Sequence, residues 1–403
     1  MASSSGSKYS LLGALVRGLL FGMLLLGVFM AGFFLRDGLT SIAPAAALAD
    51  PPRNYDLLLE VQSLLDTHYV RELPEQSELE YAAIRGVLGL LNDPYTFFNP
   101  PAVTQSESDV LAGQYGGIGI QVQHADDGSF VLYPFPDGPA AQAGIQDGDI
   151  LVAVADWIIE PGTQMDEIRQ AMRGEVGNGN GVSLVLRDRT SGEQNEYFVE
   201  FAVIEVPSVV WRTLVEDTRI GYVQILRFTS RTPDELAEAL QELLDLNIQG
   251  WILDVRDNAG GLLQEAIEVA DAFLDDGVIA YEAMRDSEHE YRAQPGGAGT
   301  TLPMVVLVNG GTASAAELVA GALQDLGRAV VIGQTTYGKG SVQFIFPLVD
   351  GSSVHITSAL WYTPNRNQLE HNGLTPDIPM IPAEDGRDVE MGEAIRHLRQ
   401  GFE

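Results

Sequence analysis

Residues 304–326 read MVVLVNGGTASAAELVAGALQDL, and they are the clearest indication of fold class in the sequence. Its first five residues, 304–308, are an apolar run typical of a strand that is buried on both faces. A loop of small residues follows, and the sequence then predicts a helix over 316–326. A buried strand that leads through a loop into a helix is the repeating unit of an α/β sheet, so we predict that class for this region.

The same unit recurs on both sides of this stretch. Residues 251–255, WILDV, predict a buried strand that is followed by a glycine loop and a helix over 264–274. A further strand is predicted at 329–332, and TPDE at 232–235 is a capping box with proline in the first helical turn. Loops at the carboxyl ends of such strands are where α/β proteins form their sites.

The region from 105 to 203 has a different pattern, with two short predicted helices among five or six strands. GGIGIQV at 116–122 is a glycine turn that enters a strand, and DGD at 147–149 is a turn that leads into another. This order resembles a PDZ domain, which binds a peptide C-terminus as an added strand. A small β-domain that only positions its neighbours is the alternative. The resemblance implies that the peptide is bound at Gly117, Ile118, Gly119 and Ile120.

The composition excludes several classes of function. The chain has 403 residues with 23 basic and 56 acidic side chains, and its formal net charge of −33 argues against binding nucleic acid. It has no cysteine, which excludes disulfides, thiolate nucleophiles and cysteine-ligated metals. Only Lys8 and Lys339 are lysines. Lys339 is the only lysine after residue 8, which indicates a task that needs an amine able to lose its proton, although a general arginine bias would give the same count.

Ser314 and Lys339 are the candidate catalytic pair. Ser314 lies at a strand-to-helix turn, where free N–H groups can stabilise an oxyanion, but a serine there could also simply cap the helix. Burial can lower a lysine pKa by up to about 3–5 units, so Lys339 could act as the base of a serine–lysine dyad. Residues 333–339 also match G-x-x-x-x-G-K, but Gly340 occupies the position where a nucleotide-binding loop needs Ser or Thr.

These motifs together resemble the carboxyl-terminal processing (tail-specific) proteases, a family of serine proteases with a PDZ domain, over about residues 55–380. The usual Asn-Pro-Gly-Gly of that family is Asn258-Ala259-Gly260-Gly261 here, so alanine replaces the proline that stiffens the loop. The motifs that match include, in chain order, Asn92-Asp93-Pro94-Tyr95-Thr96, Asp254-Val255-Arg256, Gly260-Gly261, Asn309-Gly310-Gly311 with Ser314, and Tyr337-Gly338-Lys339-Gly340 with Gln343.

The resemblance implies a role for each catalytic residue. Ser314 would be the nucleophile, Lys339 the general base, and Gln343 the residue that holds the lysine amine. The backbone N–H groups of Gly260 and Ala315 would form the oxyanion hole. The family implies a ClpP/crotonase-like catalytic core that uses neither a metal nor a cofactor.

The resemblance also implies the substrates, which are proteins with exposed apolar C-terminal tails that the PDZ domain receives. A homo-oligomer or an adaptor protein would be compatible with this function. Two other functions stay open: a catalytically latent PDZ scaffold at the cell surface, and a carrier of small apolar ligands, which crotonase-like folds also bind.

The N-terminal sequence predicts a membrane anchor. Residues 18–35 are an 18-residue run of apolar residues and glycine, long enough to span a bilayer. Lys8 and Arg17 precede this run, so the rest of the chain is expected outside the cytoplasm. Ala47-Leu48-Ala49 resembles a cleavage site, but it lies about a dozen residues beyond the run, which favours an uncleaved anchor over a cleaved signal.

The predicted organisation is therefore a multidomain α+β protein. The C-terminal residues are expected to form a peripheral charged helix. In chain order we predict a tail and membrane anchor at 1–40, a linker at 41–53, a helical region at 54–104, a PDZ domain at 105–203, a catalytic core at 204–382 and a helical tail at 383–403.

Overall fold

The computed structural model describes residues 55–125, 127–160, 162–189, 191–383 and 386–402. The predicted anchor at 18–35 and the predicted linker at 41–53 lie outside these ranges. Within them, the structure has no helix that is both long enough and apolar enough to cross a membrane. The chain divides into two units, residues 1–76 and 77–403.

The region predicted to be helical, 54–104, contains two helices, one short strand and the start of a third helix. Helix α1 (Asp56–His68) belongs to the first unit and has no buried residue. Helix α2 (Gln76–Gly89) is followed by the short strand β1 (Phe97–Asn99) and by helix α3 (Pro101–Ala112), which begins with proline at its first position and ends at Gly113 in the left-handed conformation.

The next region forms a β-domain with two short helices, α4 (Pro139–Gln142) and α5 (Met165–Ala171). Its main sheet has the order β3-β4-β5-β7-β8, with β6 paired to β5. Strands β2 and β9 pair separately. The strands are β2 (Gln114–Gly117), β3 (Ile120–His124), β4 (Phe130–Pro134), β5 (Ile150–Val154), β6 (Trp157–Ile158), β7 (Gly181–Arg187), β8 (Gln194–Glu200) and β9 (Ala202–Glu205).

The α/β region is built on a sheet of order β10-β11-β12-β15-β16-β19. All its neighbouring strands are parallel except β10, which is antiparallel to β11. The strand predicted at 304–308 is therefore confirmed as a central strand. The strands are β10 (Val209–Thr213), β11 (Ile220–Ile225), β12 (Gly250–Asp254), β15 (Met304–Val308), β16 (Val330–Gly333) and β19 (Ile378–Pro379).

Helices cover both faces of this sheet. Helices α6 (Thr232–Asp245), α7 (Leu263–Asp271) and α8 (Ala315–Asp325) pack on one face, in a core that includes Trp251 and Leu253. Helix α9 (Val389–Gln400) packs on the other face against residues such as Ile252. The expectation of a peripheral C-terminal helix is wrong, because α9 buries Ala394, Ile395 and Leu398 and covers apolar strand residues that would otherwise face water.

A second, antiparallel sheet of five strands completes the region. Its order is β1-β18-β13-β14, and β17 also pairs with β18. Its strands are β13 (Val278–Met284), β14 (Glu288–Arg292), β17 (Ser341–Pro347) and β18 (Ser353–Tyr362). Strand β1 pairs with β18 through Phe97 and His355. The segment that precedes the β-domain in sequence is therefore part of this second sheet, which the sequence did not predict.

Candidate active site

Ser314 lies in a strained turn between β15 and α8. Its φ of 56° and ψ of −120° are unusual for a residue with a side chain. Such a conformation costs about 1–3 kcal/mol and persists only where the surrounding structure enforces it, which is typical of catalytic turns. A serine on a sharp strand-to-helix turn also presents its hydroxyl above the sheet, as nucleophiles of α/β enzymes do.

The loop before Ser314 is bonded to the loop that follows β12. The Asn309 side chain donates to Asp257 Oδ1 at 2.9 Å and accepts the Asp257 backbone N–H at 2.9 Å. The Thr312 hydroxyl donates to the Val255 carbonyl at 2.8 Å, and the Ala313 N–H donates to the Asn258 carbonyl at 2.9 Å. These bonds join the two loops that carry Ser314 and Gly260.

Gly260 lies directly against the serine. A Cβ atom on Gly260 would be 2.8 Å from Ser314 Cβ and 3.2 Å from the Ala315 nitrogen, and its φ of +98° also requires glycine. Its N–H donates to Asn258 Oδ1 at 2.8 Å. Asn258 is fully buried and donates in turn to the Ile225 carbonyl at 2.8 Å. The N–H group of Gly260, the predicted oxyanion donor, thus lies beside the serine and is hydrogen-bonded to the Asn258 side chain.

Ala315, the second predicted oxyanion donor, is the first residue of α8 and is buried. N–H groups in the first turn of a helix have no partner within the helix, and the helix dipole adds partial positive charge there. This position suits a group that stabilises a developing negative charge.

Lys339 follows β16, in a loop that precedes β17, and is half-buried. Burial lowers the pKa of its amine, and the carboxylates of Glu370, Glu107 and Glu317 oppose that shift without cancelling it. The Nζ atom lies 5.0 Å from the centroid of the Tyr95 ring. A lysine whose pKa is lowered by burial is the form that can accept a proton near neutral pH.

Glu317 is buried and accepts hydrogen bonds from two segments of the site, a role that the sequence did not predict. Its carboxylate accepts the backbone N–H of Ser314 at 2.9 Å. From the lysine loop it accepts the backbone N–H groups of Gly338 at 2.7 Å and Lys339 at 2.9 Å, and the hydroxyl of Thr336. One carboxylate therefore bonds to the segments of both predicted catalytic residues. The sequence does hold one indication of this role. Glu317 stands among apolar residues of a predicted buried helix, and a buried charge needs partners.

Gln343 lies on β17, close to the lysine loop. Its side-chain amide donates to Ser341 Oγ at 3.1 Å and to Thr357 Oγ1 at 3.4 Å. The role predicted for Gln343, which is to hold the Lys339 amine, stays a prediction.

Comparison with known proteins identifies the family. A carboxy-terminal-processing protease from Bartonella bacilliformis is 34% identical over 379 residues, which are 91% of this chain and 86% of that protein. The chain belongs to peptidase family S41. The family profile matches residues 219–380, and a PDZ profile matches residues 130–178. The chain is thus a C-terminal processing serine protease with a PDZ domain.

Two further relatives agree with this identification. A carboxyl-terminal-processing protease from Synechocystis is 33% identical and covers 78% of this chain and 74% of its own length. The carboxy-terminal processing protease CtpB from Bacillus subtilis is 31% identical and covers 84% of this chain and 71% of its own length.

The PDZ domain of the peptidase has a groove at the loop of residues 117–120, which is predicted to bind the peptide. Ile118, Gly119 and Ile120 line this groove of about 320 Å³, together with Phe135 and Arg173. Gly117 ends strand β2 and Ile120 begins β3, so the loop joins the two strands. Gly119 adopts a φ of +65°, which a side chain would disfavour.

A charged network supports the strand that leads to Gly260. Arg256 donates to the buried Asp254 at 2.6 Å and to Asp388, which precedes α9, at 2.8 Å. The Tyr222 hydroxyl also donates to Asp254, at 2.9 Å. Burial alone would lower the pKa of Arg256, but the hydrogen bonds to both carboxylates hold it above its usual value. The C-terminal helix of the peptidase is thus bonded to the strand end from which the Gly260 loop begins.

Proposed function

We propose that the peptidase cleaves proteins near exposed apolar C-termini, with Ser314 as the nucleophile and Lys339 as the general base. The observation that carries this proposal is Glu317, whose carboxylate bonds to the backbone N–H groups of both residues. A shared buried partner fixes the positions of the two segments relative to each other. A dyad requires this because proton transfer needs a defined geometry.

The reaction then proceeds in two steps. Lys339 Nζ accepts the Ser314 proton as Oγ bonds to the scissile carbonyl carbon, and the carbonyl electron pair moves onto oxygen. The N–H groups of Ala315 and Gly260 stabilise this oxyanion, and the Gly260 N–H turns from Asn258 Oδ1 towards it. The oxyanion then collapses, the C–N bond breaks, and the lysine ammonium gives its proton to the leaving amine, which leaves an acyl-enzyme. In the second step the neutral lysine takes a proton from water as the water oxygen bonds to the acyl carbon, and the ammonium then protonates Ser314 Oγ as the ester C–O bond breaks.

Digestion of a loosely folded protein with an apolar C-terminal tail tests this function. We expect the wild type to cleave it and Ser314→Ala not to cleave it. Binding of the tail without cleavage by the wild type would instead favour the latent PDZ scaffold. Co-purifying lipid without proteolysis would favour the small-ligand carrier.

We also propose that the peptidase is anchored in a membrane with its catalytic region outside the cytoplasm. The support is the apolar run at 18–35 with basic residues before it. Carbonate extraction of membranes from cells that express the full chain tests the anchoring. An anchored protein stays with the membrane pellet and has its original N-terminus, whereas a cleaved signal leaves a soluble protein with a new N-terminus.

A further inference from the structure

The turn Asp93-Pro94-Tyr95-Thr96 has no role in the mechanism above, yet it lies against the base. Tyr95 is half-buried, and the centroid of its ring is 5.0 Å from Lys339 Nζ. An aromatic face at this distance covers one side of an amine and keeps water from it. This turn precedes the PDZ domain in sequence, whereas Lys339 follows it by more than a hundred residues.

The turn is held firmly in place. Asp93 Oδ1 accepts the Tyr95 backbone N–H at 3.0 Å, and its Oδ2 accepts the Thr96 hydroxyl at 2.7 Å. Thr96 Oγ1 accepts the backbone N–H of Thr357 on β18 at 3.0 Å. The turn is therefore bonded to the same sheet that carries Gln343, whose amide donates to Thr357 Oγ1.

The protonation state of Tyr95 also bears on the amine. Burial and the neighbouring Tyr337 in the lysine loop raise the pKa of Tyr95 to about 12. The phenol therefore stays neutral at working pH and adds no charge beside the amine. The charged groups that face Lys339 are the carboxylates of Glu370, Glu107 and Glu317, and all three favour the protonated amine.

We propose that Tyr95 is a positioning residue for the general base, whose ring shields the Lys339 amine from water and limits its movement. The proposal rests on the proposed role of Lys339. Two effects of the ring oppose each other. Its quadrupole attracts the ammonium form, while its bulk excludes the water that would stabilise the same form. Burial is the largest influence on this amine and lowers its pKa despite three nearby carboxylates, so we expect the exclusion of water to outweigh the attraction of the ring.

The lysine count of the chain allows a direct test. Full-length protein labelled with ¹³C-lysine gives Cε signals from Lys8 and Lys339 alone, and Lys339→Arg assigns them. We expect Tyr95→Ala to raise the pKa of Lys339 by about half a pH unit or more. Tyr95→Phe keeps the ring and should retain the wild-type value, while Lys8 titrates identically in every variant. The acid limb of kcat/KM should move by the same amount as the pKa of Lys339.

Three results would overturn the proposal: no rise in Tyr95→Ala, a fall, or a rise that Tyr95→Phe shares. Tyr95→Leu retains apolar packing and covers the case in which the alanine variant does not fold, and we expect it to give a smaller rise. The NMR titration does not depend on catalysis. An active Lys339→Arg would contradict the role of Lys339 as the base, and the titration would still decide whether Tyr95 shields the amine.

Discussion

Lys339 shows why residue type matters at this site more than charge. Arginine supplies 21 of the 23 basic residues of the chain, and it stays protonated in proteins. Lysine has an ordinary pKa of about 10.4, which burial can lower towards the working pH. The structure supplies that burial, and it also supplies three carboxylates that limit the shift.

The activity of the peptidase should therefore depend on the protonation of Lys339. The neutral amine is the active form of the base, so kcat/KM should rise with pH and level off above the lowered pKa of Lys339. Lys339→Arg should be inactive at every pH. A pH–rate profile on a short tail-bearing peptide measures both. A profile that is flat from mild acid to mild base would rule out the lysine as the base.

At the scale of elements, helix α8 connects the two halves of the dyad. Its first residues follow Ser314, and Glu317 extends from its first turn to the lysine loop. The helix is buried along nearly its whole length, so the position of this carboxylate is set by packing. A helix terminus thus carries out two functions, since it offers N–H groups near the serine and also aligns the base.

Glu317→Gln should reduce kcat/KM by about a hundredfold or more, because an amide has one acceptor oxygen where the carboxylate has two, and leaves buried N–H donors without partners. The same variant removes a charge that raises the pKa of Lys339, so the acid limb should move to lower pH. Steady-state kinetics across pH measure both effects. Glu238→Gln, on an exposed position of α6, is the matched control. Wild-type kinetics in Glu317→Gln would show that Glu317 does not contribute to catalysis.

In the whole molecule, the C-terminal helix α9 covers one face of the parallel sheet and is bonded to the end of β12. Arg256 bonds both to Asp254 at the end of β12 and to Asp388, which precedes α9. Asp388 also caps α9 by accepting the Met391 backbone N–H at 2.9 Å. The last residues of the chain therefore stabilise the strand from which the Gly260 loop starts.

Asp388→Ala should lower the free energy of unfolding by about 1–3 kcal/mol, since it removes a helix cap and one partner of Arg256. Burial would raise the pKa of Asp388, but the hydrogen bonds from Arg256 and Met391 lower it in the folded protein. Its stabilisation is thus present above the unfolded pKa of about 3.9 and is lost as the pH falls through the lowered folded value. Thermal unfolding against pH should show a difference in Tm that disappears in acid. Glu265→Ala is the control, because Glu265 is a half-buried acidic residue in the first turn of α7.

The amino-acid sequence alone determined the α/β units, the PDZ-like region and the candidates Ser314 and Lys339. The elements depend on local patterns, namely apolar runs of strand length and glycine turns, whereas Lys339 stands out in a count of lysines over the whole chain. Local patterns and residue counts can both be recognised before the chain is folded.

Only the tertiary structure decided which distant residues complete the site. Glu317 and the lysine loop, Tyr95 and Lys339, and Arg256 and Asp388 are pairs whose members lie from about 20 to more than 200 residues apart. Their contacts arise because parallel strands deliver their loops to one edge of the sheet and because apolar faces must be covered, as α9 does. No local pattern encodes such pairings, since each depends on how all the strands are ordered in the sheet.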